Sequence, residues 1–173
     1  MIQQNFGNST DFFRRSWAEY KIGFGDPSGN YWIGNAVLYN LTSVFCACSA
    51  NFYAINTVGT LYLRSHAKFF VGDEAATSYK LTVQGAGGNG SDSLNKQIGK
   101  SFSTYDVDKD SDNEKNCADL MGSGWWFGDD KNSVIGSKNK CGETNINANS
   151  TFFAFSGNQV ETLQSSVAYI TCV

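Results

Sequence analysis

Residues 101–127 read SFSTYDVDKDSDNEKNCADLMGSGWWF and hold the densest pattern of polar and aromatic residues in this chain of 173 residues. Aspartate stands at four alternate positions of the stretch, namely Asp106, Asp108, Asp110 and Asp112. Four carboxylates this close repel one another, and a hard divalent cation with several oxygen ligands relieves that repulsion. The pattern therefore predicts a Ca²⁺ site. A solvated acidic turn is the plainer alternative, because Asp, Asn and Ser also favour loops.

An EF-hand is another way to place calcium on these aspartates. A loop that began at Asp108 would put Asn113 where that motif has its glycine and Asp119 where it has its last ligand. The last ligand of an EF-hand is a bidentate glutamate, which is missing here, and no strong helix pattern flanks the segment. The EF-hand is therefore the weaker interpretation.

Length, composition and charge indicate one globular domain over residues 1–173. Hydrophobic residues make up 41% of the chain and the net charge is −3. The chain is long enough to bury a core, and it has neither an internal repeat nor a linker. It has no basic patch of the kind that binds nucleic acid, and no apolar run reaches the length of a membrane span.

The cysteines and the glycosylation motifs indicate a secreted protein. The five cysteines lack paired Cys-x-x-Cys spacing and there is a single histidine, so a zinc site is not expected. Asn-x-Ser/Thr motifs begin at Asn8, Asn40, Asn89 and Asn149. Each motif is weak alone, but together with the cysteines they favour an oxidising, extracellular environment. The start of the chain does not resemble a signal peptide, so we expect a leader upstream of this sequence.

Apolar periodicity predicts a sheet with a few short helices. A helix is expected over residues 10–20, with Thr10 or Asp11 as its cap, and a second one over residues 36–41. Residues 52–55 and 61–63 predict an antiparallel hairpin. The other predicted strands are residues 69–71, 79–83, 152–155 and 167–170, and the last two form a hairpin or return to the main sheet.

An enzyme is not expected. His66 has no serine, cysteine or acid partner at a recognisable spacing, and it is expected to be a structural or surface residue. The glycine-rich residues 85–90 lack the Gly-Lys-Ser/Thr ending of a phosphate loop. A metal explains the aspartates better than acid–base catalysis does.

A series of short motifs, all in one order, resembles the fibrinogen-related domain, the carboxy-terminal globular module of fibrinogen chains and ficolins. They are Phe13-x-Arg15-x-Trp17-x-x-Tyr20, Tyr31-Trp32-Ile33-Gly34-Asn35, Phe69-x-Val71-Gly72-Asp73-Glu74, Phe102-Ser103-Thr104-x-Asp106-x-Asp108, Asn116-Cys117-Ala118 and Gly124-Trp125-Trp126. The resemblance implies an α+β fold: a twisted, mainly antiparallel sheet with short helices and a loop-rich calcium- and ligand-binding region. It also implies that the amino-terminal subdomain is largely missing, which would leave an open sheet edge.

The resemblance implies a specific set of calcium ligands. The side chains fall on Asp108 and Asp110, the main-chain carbonyls fall on Asp112 and Glu114, and waters complete the shell. The loop is one residue longer before Cys117 than is usual in the family.

The resemblance also implies a pocket for the acetyl groups of sugars beside the calcium. Its candidates are Asn116, Cys117, Trp126 and Phe127. The Asn116–Cys117 peptide is expected to be cis, and calcium is expected to order the loop without touching the sugar. The family's second cysteine is replaced here by Asp130, so Cys117 is expected to pair with Cys141 instead.

Two other features stay open at this point. Cys172 could pair with either Cys46 or Cys48, which would leave one thiol free or bonded to another chain. Phe127 and Lys131 stand where lectin members often have tyrosine and histidine.

The function that follows is a secreted, calcium-binding recognition module. The main hypothesis is a lectin for acetylated sugars, and the alternative is a protein-binding module of an adhesion, matrix or signalling protein. The lost tyrosine, histidine and second cysteine favour the alternative. A product without binding activity is a third possibility, and a homo-oligomer is compatible with all three.

Overall fold

The computed structural model describes residues 1–7, 10–45, 47–89, 93–128, 141, 145–148, 152–156 and 159–173. Eight strands lie in these residues: β1 (Gln3–Asn5), β2 (Phe24–Gly25), β3 (Tyr31–Trp32), β4 (Cys48–Asn56), β5 (Leu61–Val71), β6 (Leu81–Gly87), β7 (Phe152–Ser156) and β8 (Gln159–Cys172). They form one sheet in the order β2-β3-β1-β8-β4-β5-β6, and β7 pairs with β8. All the strand pairs are antiparallel.

The helices of the described residues are short. They are α1 (Trp17–Ile22), α2 (Asn35–Val44), α3 (Glu74–Thr77), α4 (Cys117–Met121) and a 3-10 helix over Ser93–Gln97. The predicted fold class, an α+β fold with a mainly antiparallel sheet, is therefore confirmed.

The predicted antiparallel hairpin is formed by β4 and β5, which lie between β8 and β6 in the sheet. Its tip carries Gly59 at φ 87°, a conformation that favours glycine. Along β4 the side chains alternate between two faces. Ala50, Phe52 and Ala54 are buried in the core on the inner face, whereas Tyr53 points to the outer face.

The last strand, β8, pairs with the first strand, β1, so both ends of the chain lie inside the sheet. β8 lies between β1 and β4, and its residue Val167 pairs with Gln4 on one side and Tyr53 on the other. The first half of β8 pairs with β7, so both alternatives predicted for the final strands occur together. A disulfide joins Cys48 to Cys172 at the end of the β4–β8 pair.

The predicted first helix is wrong in its bounds, because it begins at Trp17 rather than near residue 10. Ser16 is its N-cap: the Ser16 hydroxyl accepts the Glu19 amide, and the Ser16 amide donates to Glu19 Oε2 over 2.7 Å. This reciprocal capping box satisfies two main-chain donors. Thr10 and Asp11 lie in the turns that precede it.

Two strands predicted separately, over residues 61–63 and 69–71, are parts of the single strand β5. Other predicted elements differ from the structure at their ends. The helix expected over residues 36–41 extends over Asn35–Val44. The strand expected to start at residue 79 starts at Leu81, because Ser78 and Tyr79 both adopt left-handed backbone at φ 52° and 57°. His66 is buried on the inner face of β5, in edge-to-face contact with the Phe52 ring.

Candidate functional site

The acidic loop, defined here as residues 106–116, follows a segment that is held against the core by hydrogen bonds. Ser103 and Trp125 form a two-way main-chain bridge with N···O distances of 3.0 and 3.2 Å. The Ser103 hydroxyl accepts the amide of Lys109. Thr104 and Val107 close a tight turn between these contacts. The buried Ser103–Thr104 pair therefore positions the loop that follows it.

Three successive aspartates of the acidic loop each accept the amide two residues later. Asp108 Oδ1 accepts the Asp110 amide over 3.1 Å, and Asp110 Oδ1 accepts the Asp112 amide over 2.8 Å. Asp112 Oδ1 accepts the Glu114 amide over 3.0 Å. These repeated Asx turns explain how the alternate aspartates curl the chain instead of extending it.

The curled loop borders an open polar cavity of about 400 Å³. Its lining is Asp108, Asp110, Asp112, Asn113, Glu114, Lys115 and Asn116. All four residues implied as calcium ligands therefore lie around one space. No three acidic, histidine or cysteine side chains of the described residues gather at one point. The implied shell does not need three, since it takes two carboxylates and two main-chain carbonyls.

Asp110 is partly buried beside a second carboxylate. Partial burial raises the pKa of its carboxyl, and the charge of nearby Asp108 adds to the rise. Hydrogen bonds from the amides of Cys117 (2.8 Å) and Asp112 act in the opposite direction. A positive charge in the cavity would favour the ionised form. An all-oxygen donor set of this kind fits calcium.

Asp106 has a structural role that the sequence did not reveal. Its Oδ1 accepts the Trp17 amide at the start of α1 over 2.9 Å and the Thr104 hydroxyl over 2.7 Å. Asp106 thus caps a helix that is 89 residues away in the chain. The first of the four alternate aspartates joins the acidic loop to the rest of the domain.

Asn116 ends the acidic loop and begins α4. Its amide nitrogen donates to the carbonyls of Thr104 and Tyr105, and its Oδ1 accepts the Asp119 amide over 2.9 Å. The expectation of a cis Asn116–Cys117 peptide is wrong, because the described residues contain no cis peptide. The N-cap conformation of Asn116 already directs the Cys117 amide onto Asp110, so no cis bond is needed for that contact.

A disulfide joins Cys117 to Cys141, the pair expected because Asp130 replaces the family's second cysteine. The second disulfide joins Cys48 to Cys172, which is one of the two alternatives left open for Cys172. Cys46 lies outside the described residues.

The aromatic candidates of the sugar pocket lie in the core. Trp126 is 3% exposed and Phe127 is 1% exposed. The Trp126 indole donates to the Tyr79 carbonyl and packs edge-on against Phe102, with ring centres 5.1 Å apart. Cys117 is buried too, whereas Asn116 lines the acidic cavity. The residues at 130 and 131 lie outside the described part of the chain.

A second cavity, the outer-face groove, lies on the side of the sheet that faces away from the core. It has a volume of about 340 Å³. Its lining is Gln4, Phe6, Tyr53, Ala54, Ile55, Leu61, Ser165, Ser166, Val167 and Tyr169, none of which is charged. Phe6 and Leu61 are more than half exposed. None of the sequence motifs marks this surface, although the alternation of residues along β4 identifies Tyr53 and Ile55 as outward-facing apolar residues.

Comparison with known proteins agrees with this geometry. The family model of the C-terminal globular domain of fibrinogen beta and gamma chains matches residues 1–167. The chain belongs to this family. The fibrinogen-related domain inferred from the motifs is therefore confirmed, and its matched region extends beyond the acidic loop into the last strand.

The curated relatives of this fibrinogen-like chain are much longer proteins. Protein scabrous of Drosophila melanogaster is 36% identical over 126 residues, which cover 73% of this chain and 15% of the relative. Human angiopoietin-1 is 34% identical over 148 residues, which cover 85% of this chain and 27% of the relative. The chain thus spans about a quarter or less of the length of these relatives.

Solved structures show the same architecture. The fibrinogen-like globe domain of human ANGPTL2 superposes with a TM-score of 0.81 at 28% identity, covering 99% of this chain and 78% of the globe domain. Lamprey fibrin D-dimer, solved with the peptide Gly-His-Arg-Pro-amide, superposes with a TM-score of 0.77 at 21% identity, covering 98% and 59%. At that identity the second similarity supports the fold alone.

The relatives are non-enzymatic binding modules, which fits the expectation that this chain is not an enzyme. Among the described residues, no helix is long and apolar enough to cross a membrane.

Proposed function

We propose that this fibrinogen-like domain is an extracellular module that recognises a protein partner through the outer-face groove, with an acidic loop ordered by calcium. The observation that carries the proposal is the groove itself, which is uncharged, apolar and bounded by exposed rings. Contiguous exposed apolar surface of this kind is typical of protein-interaction sites. Tyr53 and Tyr169 pack edge-on with ring centres 6.2 Å apart and supply the aromatic anchors that such interfaces favour.

A protein partner is favoured over an acetylated sugar for two reasons. The rings of Trp126 and Phe127 are buried and contribute to neither of the two cavities described above. The similar proteins include angiopoietins and angiopoietin-like globe domains, and these relatives fit a protein-binding module of a signalling protein better than a lectin.

An extracellular location is supported by the disulfides and by the relatives. Two disulfides join distant parts of the described chain, as in proteins of oxidising compartments. Scabrous and the angiopoietins are secreted proteins.

Calcium is proposed for the acidic loop because the donor chemistry fits. Asp108 and Asp110 would supply carboxylates, and Asp112 and Glu114 would supply main-chain carbonyls. The ion would neutralise the carboxylates of the cavity and so hold the loop in its curled form. The other end of the loop is held by the protein itself, because Asp110 accepts the Cys117 amide and thereby joins the loop to α4.

Calorimetric titration tests the calcium site. We expect saturable binding of Ca²⁺ by the folded wild-type chain and its loss in the Asp108→Ala, Asp110→Ala double variant, because both carboxylate ligands are then gone. The control is Asp73→Ala, which removes an acidic N-cap of α3 away from the cavity. A folded wild type that binds no calcium would contradict this part of the proposal.

The class of partner is tested by binding of the fluorescently labelled chain to animal cells. Saturable binding that disappears when surface proteins are removed with protease, and that persists after glycosidase treatment and in excess N-acetylglucosamine, is the expected result. Retention on an acetylated-sugar column in the presence of calcium, together with competition by the free sugar, would instead support the lectin.

Paired variants connect that binding to the groove. Leu61→Asp places a charge on the apolar lining, and we expect it to weaken cell binding at least tenfold. Val58→Asp is the matched control, because Val58 is exposed on the turn between β4 and β5 and does not line the groove. Equal binding by both variants would remove the groove from the proposal. Analytical ultracentrifugation of the wild type and of each variant shows whether the groove instead joins two copies of this chain, since Leu61→Asp would then convert a dimer to a monomer.

A further inference from the structure

We propose that Asn40 carries an N-linked glycan and that Asn89, which has the same sequence motif, does not. This inference rests on the extracellular location in the proposed function. It concerns a modification that no part of that function uses. Asn40 and Asn89 themselves lie in the described part of the chain, so the surroundings of the two asparagines can be compared directly, whereas Asn8 and Asn149 lie outside it.

Asn40 lies on the solvent side of α2. The buried residues of that helix are Asn35, Leu38 and Thr42. Asn40 is two positions from both Leu38 and Thr42, which places it about 200° around the helix from each of them. The side chain of Asn40 is exposed, and its side-chain amide makes no hydrogen bond to any other described residue. A bulky sugar on this nitrogen therefore projects into solvent without displacing a contact.

Thr42, the third residue of the motif, has a different role once the chain is folded. Its hydroxyl donates to the Leu38 carbonyl over 2.8 Å and accepts the Val71 amide of β5 over 3.2 Å. Thr42 is buried in the folded protein. The motif is thus accessible to a transferase only before α2 packs on β5, and the finished fold tolerates the product because only Asn40 bears the sugar.

The amide of Asn89 is used by the fold. Its Oδ1 accepts the Leu63 amide over 2.8 Å, and its Nδ2 donates to the Leu61 carbonyl over 3.1 Å. The side chain therefore binds β5 as a neighbouring strand would. The backbone beside it is equally close, since a Cβ on Gly88 would lie 2.1 Å from the Leu63 carbonyl oxygen. A sugar added to Nδ2 before folding would replace one of its two hydrogens and add bulk at this contact. A chain modified at Asn89 would therefore fold poorly, so we expect the folded, secreted protein to have an unmodified Asn89.

The chemistry at Asn40 is a group transfer from a lipid-diphosphate-linked oligosaccharide, which the secretory pathway supplies. A bond forms between Asn40 Nδ2 and C1 of the first sugar. The bond between C1 and the diphosphate oxygen breaks, the lipid diphosphate leaves with the electron pair, and one amide proton is lost. Nothing is oxidised or reduced.

The sugar and the outer-face groove lie on different sides of the sheet. Leu38 of α2 joins the same core cluster as Ala50 and Phe52, which are inner-face residues of β4. Most of the groove lining comes from the opposite face, from outward side chains such as Tyr53, Leu61 and Tyr169. The glycan at Asn40 therefore covers a surface that the proposed protein partner does not use.

The test is expression of the full chain in cultured animal cells behind a heterologous signal peptide, as wild type, Asn40→Gln and Asn89→Gln. After reduction and trypsin digestion, residues 22–64 form one peptide with Asn40 and residues 81–96 form another with Asn89. Mass spectrometry before and after peptide N-glycosidase then reads each motif separately. We expect the first peptide to lose a glycan and the second to be unmodified.

The variants separate modification from folding. Asn40→Gln is expected to be secreted like the wild type with one glycan fewer on a gel, whereas Asn89→Gln keeps the wild-type glycan pattern and melts at a lower temperature. An unmodified Asn40 in secreted wild-type protein that contains both disulfides overturns the proposal, and a glycan on Asn89 overturns its second half. The added signal peptide and the formed disulfides show that the chain has passed through the secretory pathway. The glycosylation results therefore do not depend on whether the protein partner of the proposed function exists.

Discussion

At the scale of single residues, the alternate aspartates divide into two roles that their spacing does not distinguish. Asp106 turns toward the body of the domain and caps α1 through the Trp17 amide. Asp108 and Asp110 turn toward the cavity of the acidic loop. The division follows from where the chain reverses at the Thr104–Val107 turn, which places the first carboxylate on the inner side of the loop.

Asp106→Ala tests that division. We expect it to lower the free energy of unfolding by about 1 kcal/mol, the usual cost of a lost helix cap, since Trp17 loses its acceptor. It should leave one calcium bound per chain in the calorimeter. Urea unfolding gives the first quantity. A loss of all calcium binding in this variant, with the fold intact, would place Asp106 among the ligands instead.

The raised pKa of Asp110 predicts a pH dependence. A folded-state pKa above the unfolded-state one means that the folded protein holds the proton more tightly. With calcium removed by a chelator, the ionisation of Asp110 therefore lowers the stability of the fold as the pH rises from the ordinary aspartate pKa to the raised folded-state pKa. Above that interval the loss of stability stays constant. We expect the stability of the wild type relative to Asp110→Asn to decline across the interval in urea unfolding curves.

Added calcium should reverse that decline, because the cation binds the ionised carboxylate. The amides of Cys117 and Asp112 bond the Asp110 carboxyl and favour its ionised form, but the burial of the carboxyl outweighs them, so the net pKa is raised and the decline remains. Parallel pH profiles for the two proteins would contradict the prediction.

At the scale of elements, the start of α1 is determined by local hydrogen bonding rather than by apolar spacing. Aromatic residues at positions 13, 17 and 20 have helical spacing, yet the helix begins only where Ser16 and Glu19 can satisfy each other's amides. Arg15 adds an ion pair to Glu19 at 2.8 Å. Hydrogen bonds from Ser16 and Arg15 hold the pKa of Glu19 below its usual value.

Ser16→Ala should destabilise the domain by about 1 kcal/mol through the lost N-cap. Ser28→Ala is a suitable comparison, since Ser28 is bonded only within an exposed turn to Asp26 and should cost much less. The measurement is urea unfolding of both variants at neutral pH. Equal effects of the two substitutions would mean that the capping box contributes nothing specific to α1.

At the scale of the whole molecule, the domain is closed by its last strand. β8 lies between the amino-terminal strand β1 and the β4–β5 hairpin, and the Cys48–Cys172 disulfide covers a sequence separation of 124 residues. A cross-link over so long a loop strongly restricts the unfolded chain. The Cys117–Cys141 disulfide has a separation of only 24 and fastens α4 to residue 141.

Removing the longer cross-link should therefore cost more. We expect Cys48→Ser, Cys172→Ser to lower the free energy of unfolding by about 4 kcal/mol and Cys117→Ser, Cys141→Ser by about 3 kcal/mol. Peptide mapping without reduction checks the pairing first, with Cys46→Ser as a control that should leave both disulfides in place. A Cys46–Cys172 cross-link in the wild type would contradict the structure.

The sequence by itself determined the family, the fold class and the position of the acidic loop. Those properties are carried by residues close to one another in the chain: the alternate aspartates, the Asn116-Cys117-Ala118 and Trp125-Trp126 motifs, and the strand-like runs on either side of a glycine turn. Local spacing determines which turns and strands a segment can form, so it can be read without coordinates.

Only the tertiary structure decided which side chains are accessible. It buried Trp126 and Phe127 in the core, bound Asp106 to a helix 89 residues away, and gathered Phe6, Leu61 and Tyr169 into one groove. It also separated Asn40 from Asn89, which have the same motif but different hydrogen bonding. The physical reason is that burial and hydrogen bonding depend on contacts between distant segments, and no local pattern specifies which face of a strand or helix those segments cover.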